Sequence, residues 1–349
     1  MKKKIFFILG SLKAGGAERV FWLISQNIDS QVYDVSLILL NSSKAFYPID
    51  SSTIRVIDLG TVKASRSFPK LFTLLSKEKP DVVFSTGGQI NVLVAFIGIF
   101  LPRIRLIARP TNQNNTKFLS LKARALSFML NGLYRRFDKI ICQSIEIKEF
   151  IQHANGITES KLVVIPNPIL RNNVNRKNRR IKDANQLIVV ARLTKQKGIP
   201  RLLDIVSKLP KNYSLTIVGD GPLEHSLNDQ ITKLSISDRV KMIGLKTTVL
   251  ELMSQNAVFV LPSYIEGFPN VVIESLSVGT PVVSFRVGGI SEIVTDGFNG
   301  YIVDQNNERA FMERVINACE RNWNSDAIRA DVFDRFGLKK VIKQYEDLI

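Results

Sequence analysis

Short apolar runs alternate with stretches of helical periodicity along the whole chain. This alternation is typical of α/β proteins, in which parallel strands are joined by crossover helices. In the first half of the chain the predicted strands are Ile5–Leu9, Val35–Leu40, Ile54–Asp58, Val82–Ser85, Leu106–Ala108, Lys139–Gln143 and Leu162–Ile165. In the second half they are Leu187–Val190, Ser214–Val218, Val240–Ile243, Ala257–Leu261, Val282–Ser284 and Gly300–Val303. The pattern predicts two doubly wound, Rossmann-like domains that face each other across a cleft.

The boundary between the two halves is marked by a change in composition. "IPNPI" (165–169) is followed by the polar and basic stretch 171–185, which predicts a linker. The expected domains are therefore residues 1–170 and residues 186–330. The segment Val332–Ile349 has the pattern of an amphipathic helix, and residues 331–349 are expected to pack back on the first domain.

Two apolar stretches could be mistaken for membrane segments. "INVLVAFIGIFLP" (90–102) is shorter than the roughly 20 residues that span a bilayer, so it is predicted to be a buried helix. The start of the chain imitates a signal peptide, but Lys13, Glu18 and Arg19 follow its apolar run at once. A first β-strand is therefore the preferred interpretation.

Composition narrows the possible partners. The chain has 349 residues, of which 45% are hydrophobic and 23% charged, as in globular proteins. Two distant cysteines, Cys142 and Cys319, make a zinc site improbable and indicate a reducing compartment. The net charge is +17, with +12 in residues 1–170. This excess favours phosphate or an anionic membrane surface, although a diffuse basic surface stays open. No nucleic-acid-binding motif is present.

The stretch "VVARLTKQKGIPRLL" (189–203) predicts an anion site. A strand ends at Ala191 and a helix begins near Ile199 or Pro200, with Arg192 and Lys197 between them. Cations beside a helix N-terminus bind anions, because the unpaired amides and the helix dipole face the ligand. An exposed basic turn is the alternative interpretation.

The stretch "EGFPNVVIE" (266–274) places Glu266 on a loop and Glu274 on a helix whose first turn is expected to contain Pro269. Both carboxylates could reach one cleft, where they would bind paired sugar hydroxyls or perform hydrolytic acid/base chemistry. Two solvated glutamates would also fit this spacing. A tight turn, "VGDGP" (218–222), precedes another helix and is by itself a weak signal.

Taken in order, these stretches resemble the retaining, nucleotide-sugar-dependent glycosyltransferases of family four, which have the GT-B fold. The resemblance rests on "GSLKAGGAERV" (10–20), "ARLTKQKG" (191–198), "VGDGP" (218–222), "EGFPNVVIE" (266–274) and "GTPVVSFRVGGISEIV" (279–294). It covers nearly the whole chain, and the E-x7-E pair is its most specific element.

The resemblance implies roles for individual residues. Arg192 and Lys197 would hold the donor diphosphate and act with Glu266 as the catalytic group, while Glu274 would bind the ribose hydroxyls. The remaining substrate-binding residues that it implies are Gly15, Gly16, Arg109, Gly221, Leu245, Gly267, Phe268 and Pro269. Of these, Gly15 and Gly16 would let a loop of the first domain close over the diphosphate, and Leu245 would lie near the base.

Two features of the sequence bear on the chemistry. No DxD triplet occurs, which fits a UDP- or GDP-sugar site that works without a metal or other cofactor. Many relatives carry a histidine in the first domain that faces the donor sugar, whereas the matching stretch of this chain, 106–115, has Arg109, Thr111 and Asn112. Arg109 could face the acceptor, the phosphate or a local partner. No catalytic base is therefore named, and the front-face mechanism often described for the family needs none.

The acceptor is expected to be a saccharide, which a lipid could carry, as in the synthesis of capsule, lipopolysaccharide or another cell-surface polysaccharide. The basic amphipathic stretch 117–139 predicts peripheral binding to the inner face of the plasma membrane, with a core-packing helix as the alternative. Two other functions stay open: a sugar-nucleotide epimerase and a non-catalytic module that binds polyanions.

Overall fold

The structure is a computed structural model that describes residues 2–12, 15–43, 46–48, 54–110, 132–171, 174 and 185–349. Internal contacts divide the chain into two units. Unit 1 consists of Met1–Pro168 and Leu338–Ile349, and unit 2 of Ile169–Gly337. Apart from Arg171, Val174 and Asn185, the predicted linker 171–185 lies outside the described residues.

Unit 1 is built on a parallel sheet of seven strands in the order β3-β2-β1-β4-β5-β6-β7. The strands are β1 (Lys3–Leu9), β2 (Tyr33–Leu39), β3 (Arg55–Asp58), β4 (Val82–Thr86), β5 (Arg105–Arg109), β6 (Lys139–Cys142) and β7 (Leu162–Val164). The helices described in this unit are α1 (Gly16–Asn27), α2 (Phe68–Glu78), α3 (Gly88–Phe100), α4 (Ile145–Asn155) and the C-terminal α11 (Leu338–Glu346).

Unit 2 has a parallel sheet of six strands in the order β10-β9-β8-β11-β12-β13. The strands are β8 (Gln186–Val190), β9 (Ser214–Val218), β10 (Val240–Met242), β11 (Val258–Leu261), β12 (Val282–Phe285) and β13 (Gly300–Val303). The helices are α5 (Ile199–Lys208), α6 (Glu224–Lys233), α7 (Val249–Gln255), α8 (Asn270–Ser277), α9 (Glu308–Glu320) and α10 (Ser325–Phe336). Every predicted strand is present, and both sheets have the doubly wound strand order.

Both sheets are covered on their two faces, which explains why their strands are continuous apolar runs. In β1, Phe6 and Ile8 pack into one core of unit 1, whereas Phe7 and Leu9 pack into the other. The basic start of the chain therefore leads into a central strand, as the preferred interpretation predicted.

The predicted helix Val332–Ile349 is wrong as a single element. Helix α10 ends at Phe336 and α11 begins at Leu338, because Gly337 has an extended backbone (φ −57°, ψ 136°). Gly337 pairs with Ile169 in a β-bridge, and the Ile169 amide donates to the Phe336 carbonyl at 2.8 Å. The amphipathic pattern continues across Gly337, so the sequence did not indicate the break between the two helices.

Two further predictions need correction. Helix α3 forms where a buried helix was expected, but its outward face, which includes Phe96 and Phe100, is exposed. The stretch 117–139 is not a helix to its end, since a 3₁₀ turn occupies Leu133–Arg136 and β6 begins at Lys139. Residues 117–131 lie outside the described residues. No helix in the described part of the chain is long and apolar enough to cross a bilayer.

The C-terminal helix α11 is fixed to unit 1 by a buried polar contact as well as by packing. The Tyr345 ring packs against Phe84, with ring centroids 5.6 Å apart. The Tyr345 hydroxyl is hydrogen-bonded to the Arg109 guanidinium, and burial raises the pKa of Tyr345 to about 12. The contact therefore joins the end of β5 to the last helix of the chain.

We expect Tyr345→Phe to lower the free energy of unfolding by about 1–3 kcal/mol, because the buried Arg109 guanidinium loses a partner. Urea titration followed by circular dichroism measures this change. Tyr33→Phe, at a half-buried position of the same unit, is the control and should change stability by less than about 0.5 kcal/mol. Equal effects of the two substitutions would contradict the assignment.

Candidate functional site

The loops of unit 2 that carry the predicted residues meet at one edge of the sheet. All the strands are parallel, and their order reverses between β8 and β11. In open α/β sheets, ligands bind outside the carboxyl ends of the strands at such a reversal. The loop after β8 contains Arg192 and Lys197, and the loop after β11 contains Glu266 and Gly267.

The centre of the site is an ion pair between these two loops. The Lys197 Nζ lies 2.7 Å from Glu266 Oε1 and 2.8 Å from Oε2. The Ser263 hydroxyl donates to the same Oε1 at 2.6 Å. Only 10% of the Glu266 side chain is exposed, against 28% for Lys197. The carboxylate is thus largely removed from water, while the ammonium group keeps access to a ligand.

Helix α5 contributes another cation, Arg201, which the sequence analysis did not single out. Arg201 is buried and donates from Nε to the Pro262 carbonyl at 2.6 Å and from a terminal nitrogen to the Ser263 carbonyl at 2.7 Å. Its guanidinium carbon lies 3.8 Å from the ring centroids of both Tyr264 and Phe285. Burial lowers the pKa of this guanidinium. Arg201 therefore fixes the β11 loop and is not available to a ligand.

The loop 266–269 also packs against the turn after β12. Gly288 has φ +48°, and a Cβ there would approach the Glu266 and Gly267 carbonyls, the latter to 2.5 Å. The Gly289 amide donates to the Gly267 carbonyl at 2.8 Å. A glycine is required at 288 because only a residue without a Cβ allows this approach.

The remaining residues of the E-x7-E stretch have different environments. Phe268 is buried and packs edge-on against Phe336, with centroids 5.9 Å apart. Pro269 is the N-cap of α8, one position before its predicted place in the first turn. Glu274 is half-buried within α8. Phe268 thus anchors a loop whose two flanking glutamates lie on the loop and on the helix, as the pattern predicted.

The turns after β8, β9 and β10 are packed against one another. Gly221 has φ +155°, and a Cβ would lie 2.6 Å from the Leu193 carbonyl oxygen. The Gly219 amide donates to the Gly244 carbonyl at 2.9 Å. Leu245 follows Gly244 and is 53% exposed. The "VGDGP" turn, weak as a sequence signal, therefore lies directly beside the loop that carries the two basic residues.

Arg192 differs from Lys197 in having no fixed partner among the described residues. Its side chain is exposed, and within the described ranges it makes no hydrogen bond or ion pair. Among the described residues, the same loop thus offers two exposed cations without a side-chain partner, Arg192 and Lys195, and at Lys197 one that is paired with Glu266. Together with the amides at the start of α5, these groups place positive charge at this edge of the sheet, which suits an anion.

The predicted residues of unit 1 lie at the corresponding edge of the other sheet. Gly15 precedes α1 as its N-cap, and Gly16 is the first residue of that helix. Burial raises the pKa of the Glu18 carboxyl in the same turn. Arg109 ends β5 and is 3% exposed, with its guanidinium hydrogen-bonded to Asn167 and Tyr345. Its Nε has no hydrogen-bond partner among the described residues.

A cavity of about 410 Å³ lies at the point in unit 1 where the strand order reverses, between β1 and β4. Its walls are formed by the turns after β1 and β2, by residues 62 and 64 after β3 and by the first residues of α3; they include Gly10, Ser11, Asn41, Gly88 and Gln89. The sequence placed "GSLKAGGAERV" near a ligand, but it gave no sign that the start of α3 closes the same cavity.

The structure therefore brings the predicted residues together in two groups. Lys197 is hydrogen-bonded to Glu266, and Gly267 follows Glu266 in the chain. Neighbouring loops at the same edge of the sheet carry Arg192, Gly221 and Leu245. Gly15, Gly16 and Arg109 belong to unit 1. Among the residues that the structure describes, no three His, Cys, Asp or Glu side chains form a cluster that could hold a metal ion.

Comparison with known proteins decides the family. Residues 14–170 match the model described as Glycosyltransferase Family 4, and residues 171–330 match the model described as Glycosyl transferases group 1. The two matches together span most of the chain. The chain belongs to the group 1, family 4 glycosyltransferases. It is thus an enzyme of the transferase class, and the idea of a non-catalytic polyanion-binding module is wrong.

Relatives and solved structures agree with this assignment. The glycosyltransferase is 27% identical to the amylovoran biosynthesis glycosyltransferase AmsD of Erwinia amylovora, with all of both chains covered. It is 26% identical to the N-acetylgalactosamine-N,N'-diacetylbacillosaminyl-diphospho-undecaprenol 4-alpha-N-acetylgalactosaminyltransferase of Campylobacter jejuni, with 98% of this chain and 99% of the relative covered. The crystal structure of Anabaena HepE with UDP-glucose superposes with a TM-score of 0.82 at 20% identity, covering 99% of this chain and 98% of HepE. The fold is therefore GT-B.

We expect Gly288→Ala to reduce transferase activity about tenfold or more, because a new Cβ forces the Glu266–Gly267 backbone to move. Gly244→Ala is the matched control, since Gly244 also has a positive φ (+67°) but has open space around its Cβ position. Both substitutions should cost about 1–2 kcal/mol of stability for the left-handed backbone, and the clash with the 266–267 carbonyls adds to this cost in Gly288→Ala only. If initial rates fall equally in the two variants, the support of the loop by Gly288 is not what matters.

Proposed function

We propose that this glycosyltransferase moves a sugar, with retention of its anomeric configuration, from a nucleoside diphosphate sugar to a saccharide acceptor. The observation that carries the proposal is the Lys197–Glu266 pair at the strand-order reversal of unit 2. In this pair, a partly exposed ammonium group is directly hydrogen-bonded to a nearly buried carboxylate. Such a pair suits a ligand with an anionic part and a polyhydroxyl part.

The donor diphosphate is assigned to the basic loop. Lys197 has three N–H donors, two of which are directed at the Glu266 oxygens, so one is available to a phosphate oxygen. Arg192 is exposed and can grip a phosphate with two N–H groups. The amides at the start of α5 add a partial positive charge. These groups would stabilise the charge that grows on the departing diphosphate without requiring a metal ion.

The sugar and the nucleoside are assigned to the neighbouring loops. Glu266 and the amides of Gly267 and Phe268 would bind the transferred sugar, whereas Pro269 has no N–H and only shapes the turn. Glu274 would bind the ribose hydroxyls. Leu245 is exposed just after β10 and would contact the base, and Gly221 would let the ligand approach the backbone.

A front-face mechanism suits this site. The acceptor hydroxyl oxygen would bond to the anomeric carbon while the bond from that carbon to the leaving phosphate oxygen breaks. The acceptor proton would pass to that phosphate oxygen, so no protein base is needed. Arg192 and Lys197 would supply electrostatic stabilisation that strengthens as the leaving group gains charge. Glu266 would orient Lys197 as well as the sugar.

The names of similar proteins support the choice of donor and acceptor classes. HepE was crystallised with UDP-glucose, which supports a UDP- or GDP-sugar donor. The Campylobacter relative is named for an acceptor on diphospho-undecaprenol, and AmsD for amylovoran biosynthesis. We infer a lipid-linked saccharide acceptor, used in making a cell-surface polysaccharide at the inner face of the plasma membrane. The cavity of unit 1 is the assigned place for the acceptor saccharide. Gly15 and Gly16 stay predicted ligand-binding residues. Arg109 is 3% exposed and bonded to Asn167 and Tyr345, which corresponds to the local pairing that the sequence left open.

A panel of UDP- and GDP-sugars tests the proposal directly. The correct donor should raise the melting temperature and, with acceptor, release free nucleoside diphosphate while the new glycosidic bond keeps the donor's anomeric configuration. Nuclear magnetic resonance of the product reads that configuration. An inverted product would refute retention, and a change of configuration within the donor without transfer would point to an epimerase.

Glu274→Ala should weaken donor binding about tenfold to a hundredfold, because the ribose hydroxyls lose a charged hydrogen-bond acceptor worth about 1.5–3 kcal/mol. Isothermal titration with the donor measures the change. Glu251→Ala, an exposed glutamate on α7 of the same unit, serves as the control and should bind the donor normally. Normal donor affinity in the Glu274 variant would remove this residue from the site.

Glu266→Ala should lower kcat about 10²–10³-fold with a smaller effect on donor affinity, because the residue contacts the reacting sugar and orients Lys197. Lys197→Ala should lower kcat similarly. The double variant should lose much less than the product of the two single effects, since both remove the same unit. Multiplicative losses would show that the ion pair does not act as a unit in catalysis.

A further inference from the structure

One face of helix α3 is apolar although it is exposed to solvent. The helix sequence, "GQINVLVAFIGIF", contains no charged residue. Its inner side packs in the core of unit 1, but Phe96, Ile99 and Phe100 are 43%, 52% and 55% exposed. The spacing of these residues places them on a single stripe of the helix surface. Large apolar side chains in one contiguous patch mark an interaction surface.

Helix α2 extends this stripe into a wider surface. The rings of Phe68 and Phe72 stack with centroids 5.9 Å apart, and each contacts α3: Phe68 with Phe96 at 5.7 Å and Phe72 with Phe100 at 6.2 Å. The rings of Phe96 and Phe100 also contact each other, with centroids 5.6 Å apart. These four phenylalanines, together with Ile99, are called the phenylalanine face.

Exposed basic residues lie at the ends of the two helices that carry the phenylalanine face. Arg66 lies two positions before Phe68, Lys79 follows the last residue of α2, and Arg103 lies three positions after Phe100; all three are exposed.

Two acids, Glu78 and Asp81, lie near the end of α2, and both contact β1 or β3. Glu78 pairs with Lys4 and Arg55, and Asp81 accepts from the Lys4 amide at 2.7 Å. An apolar face with basic residues at its ends complements a surface of the opposite charge.

The first turn of α3 links the phenylalanine face to the cavity of unit 1. Gly88, Gln89 and Ile90 line the cavity, and the helix rises about 1.5 Å per residue. Phe100, at the far end of the helix, is therefore about 15 Å from the cavity wall along the axis. A ligand with an apolar tail and a polar head could contact both ends of this one helix.

We propose that the phenylalanine face docks on an anionic lipid surface, with Phe96, Ile99 and Phe100 at the depth of the headgroups and upper acyl chains. Aromatic and aliphatic side chains supply the apolar contact, and the surrounding lysines and arginines are attracted to anionic headgroups. The residues of this face are not those of the stretch 117–139, whose described end contacts α3 where Arg136 Nε donates to the Gly98 carbonyl at 3.0 Å. Docking requires neither donor nor acceptor, so it can fail or succeed independently of the proposed function.

A lipid surface fits the face better than a second copy of the chain. A two-fold contact would bring the same basic residues of each copy together, which repels. Protein interfaces are also depleted in lysine, whereas lysines are common around faces that bind anionic membranes. Analytical ultracentrifugation decides between the two occupants.

The test is co-sedimentation of the full chain with vesicles. Vesicles of equal parts phosphatidylglycerol and phosphatidylcholine should bind the protein, and phosphatidylcholine alone should bind it much less. The variant Phe96→Ser/Phe100→Ser should partition about tenfold less into the anionic vesicles, because two apolar contacts are lost. Phe150→Ser, at a residue of α4 in the same unit that is 37% exposed, is the matched control and should bind as the wild type does.

A second measurement locates the contact. In Ile99→Trp, tryptophan emission should shift to the blue on adding the anionic vesicles, while Phe150→Trp should show no added shift. Transfer to a soluble saccharide acceptor should be unchanged in the double serine variant. The proposal is overturned if the wild type ignores anionic vesicles, if the double variant binds them normally, or if that variant converts a dimer into a monomer.

Discussion

The architecture of unit 2 depends on how one nearly buried carboxylate is satisfied. An ionised Glu266 with a tenth of its surface exposed would be strongly unfavourable without partners. Lys197 and Ser263 supply them, and each comes from a loop whose own position is fixed by other contacts. The backbone of 266–267 rests on the turn that contains Gly288. The carboxylate thus requires three loops to be in place at once, which makes the site preorganised before any ligand arrives.

Two arginines of the same unit show how environment decides what a residue does. Arg192 is exposed and has no partner among the described residues, so its charge is available to a ligand. Arg201 is buried, hydrogen-bonded to two carbonyls and held between two aromatic rings. Its guanidinium group fixes the β11 loop through these contacts and is not available to a ligand. The first arginine is therefore suited to binding and the second to support.

Unit 1 differs from unit 2 in carrying most of the net positive charge and an exposed apolar face. Most of the net charge of +17 lies in residues 1–170. The phenylalanine face and the exposed basic residues at its ends lie in this half, on or beside the helices that follow β3 and β4. The cavity at the strand-order reversal shares α3 with that face. One helix thus connects a site suited to a polar ligand with a surface suited to lipid, which is the arrangement that a lipid-linked acceptor requires.

The sequence alone determined the strands, the doubly wound fold, the family and the two stretches that carry Lys197 and Glu266. These features depend on local patterns: the run of apolar residues, the helix start after a basic loop, and the spacing within "EGFPNVVIE". Only the tertiary structure revealed the ion pair, because Lys197 and Glu266 are separated by 69 positions in the chain. The support by Arg201 spans 61 positions, and the break at Gly337 depends on a bridge to Ile169. Local periodicity sets which segments become strands and helices, whereas contacts between distant segments decide which charges are satisfied and which remain available to a ligand.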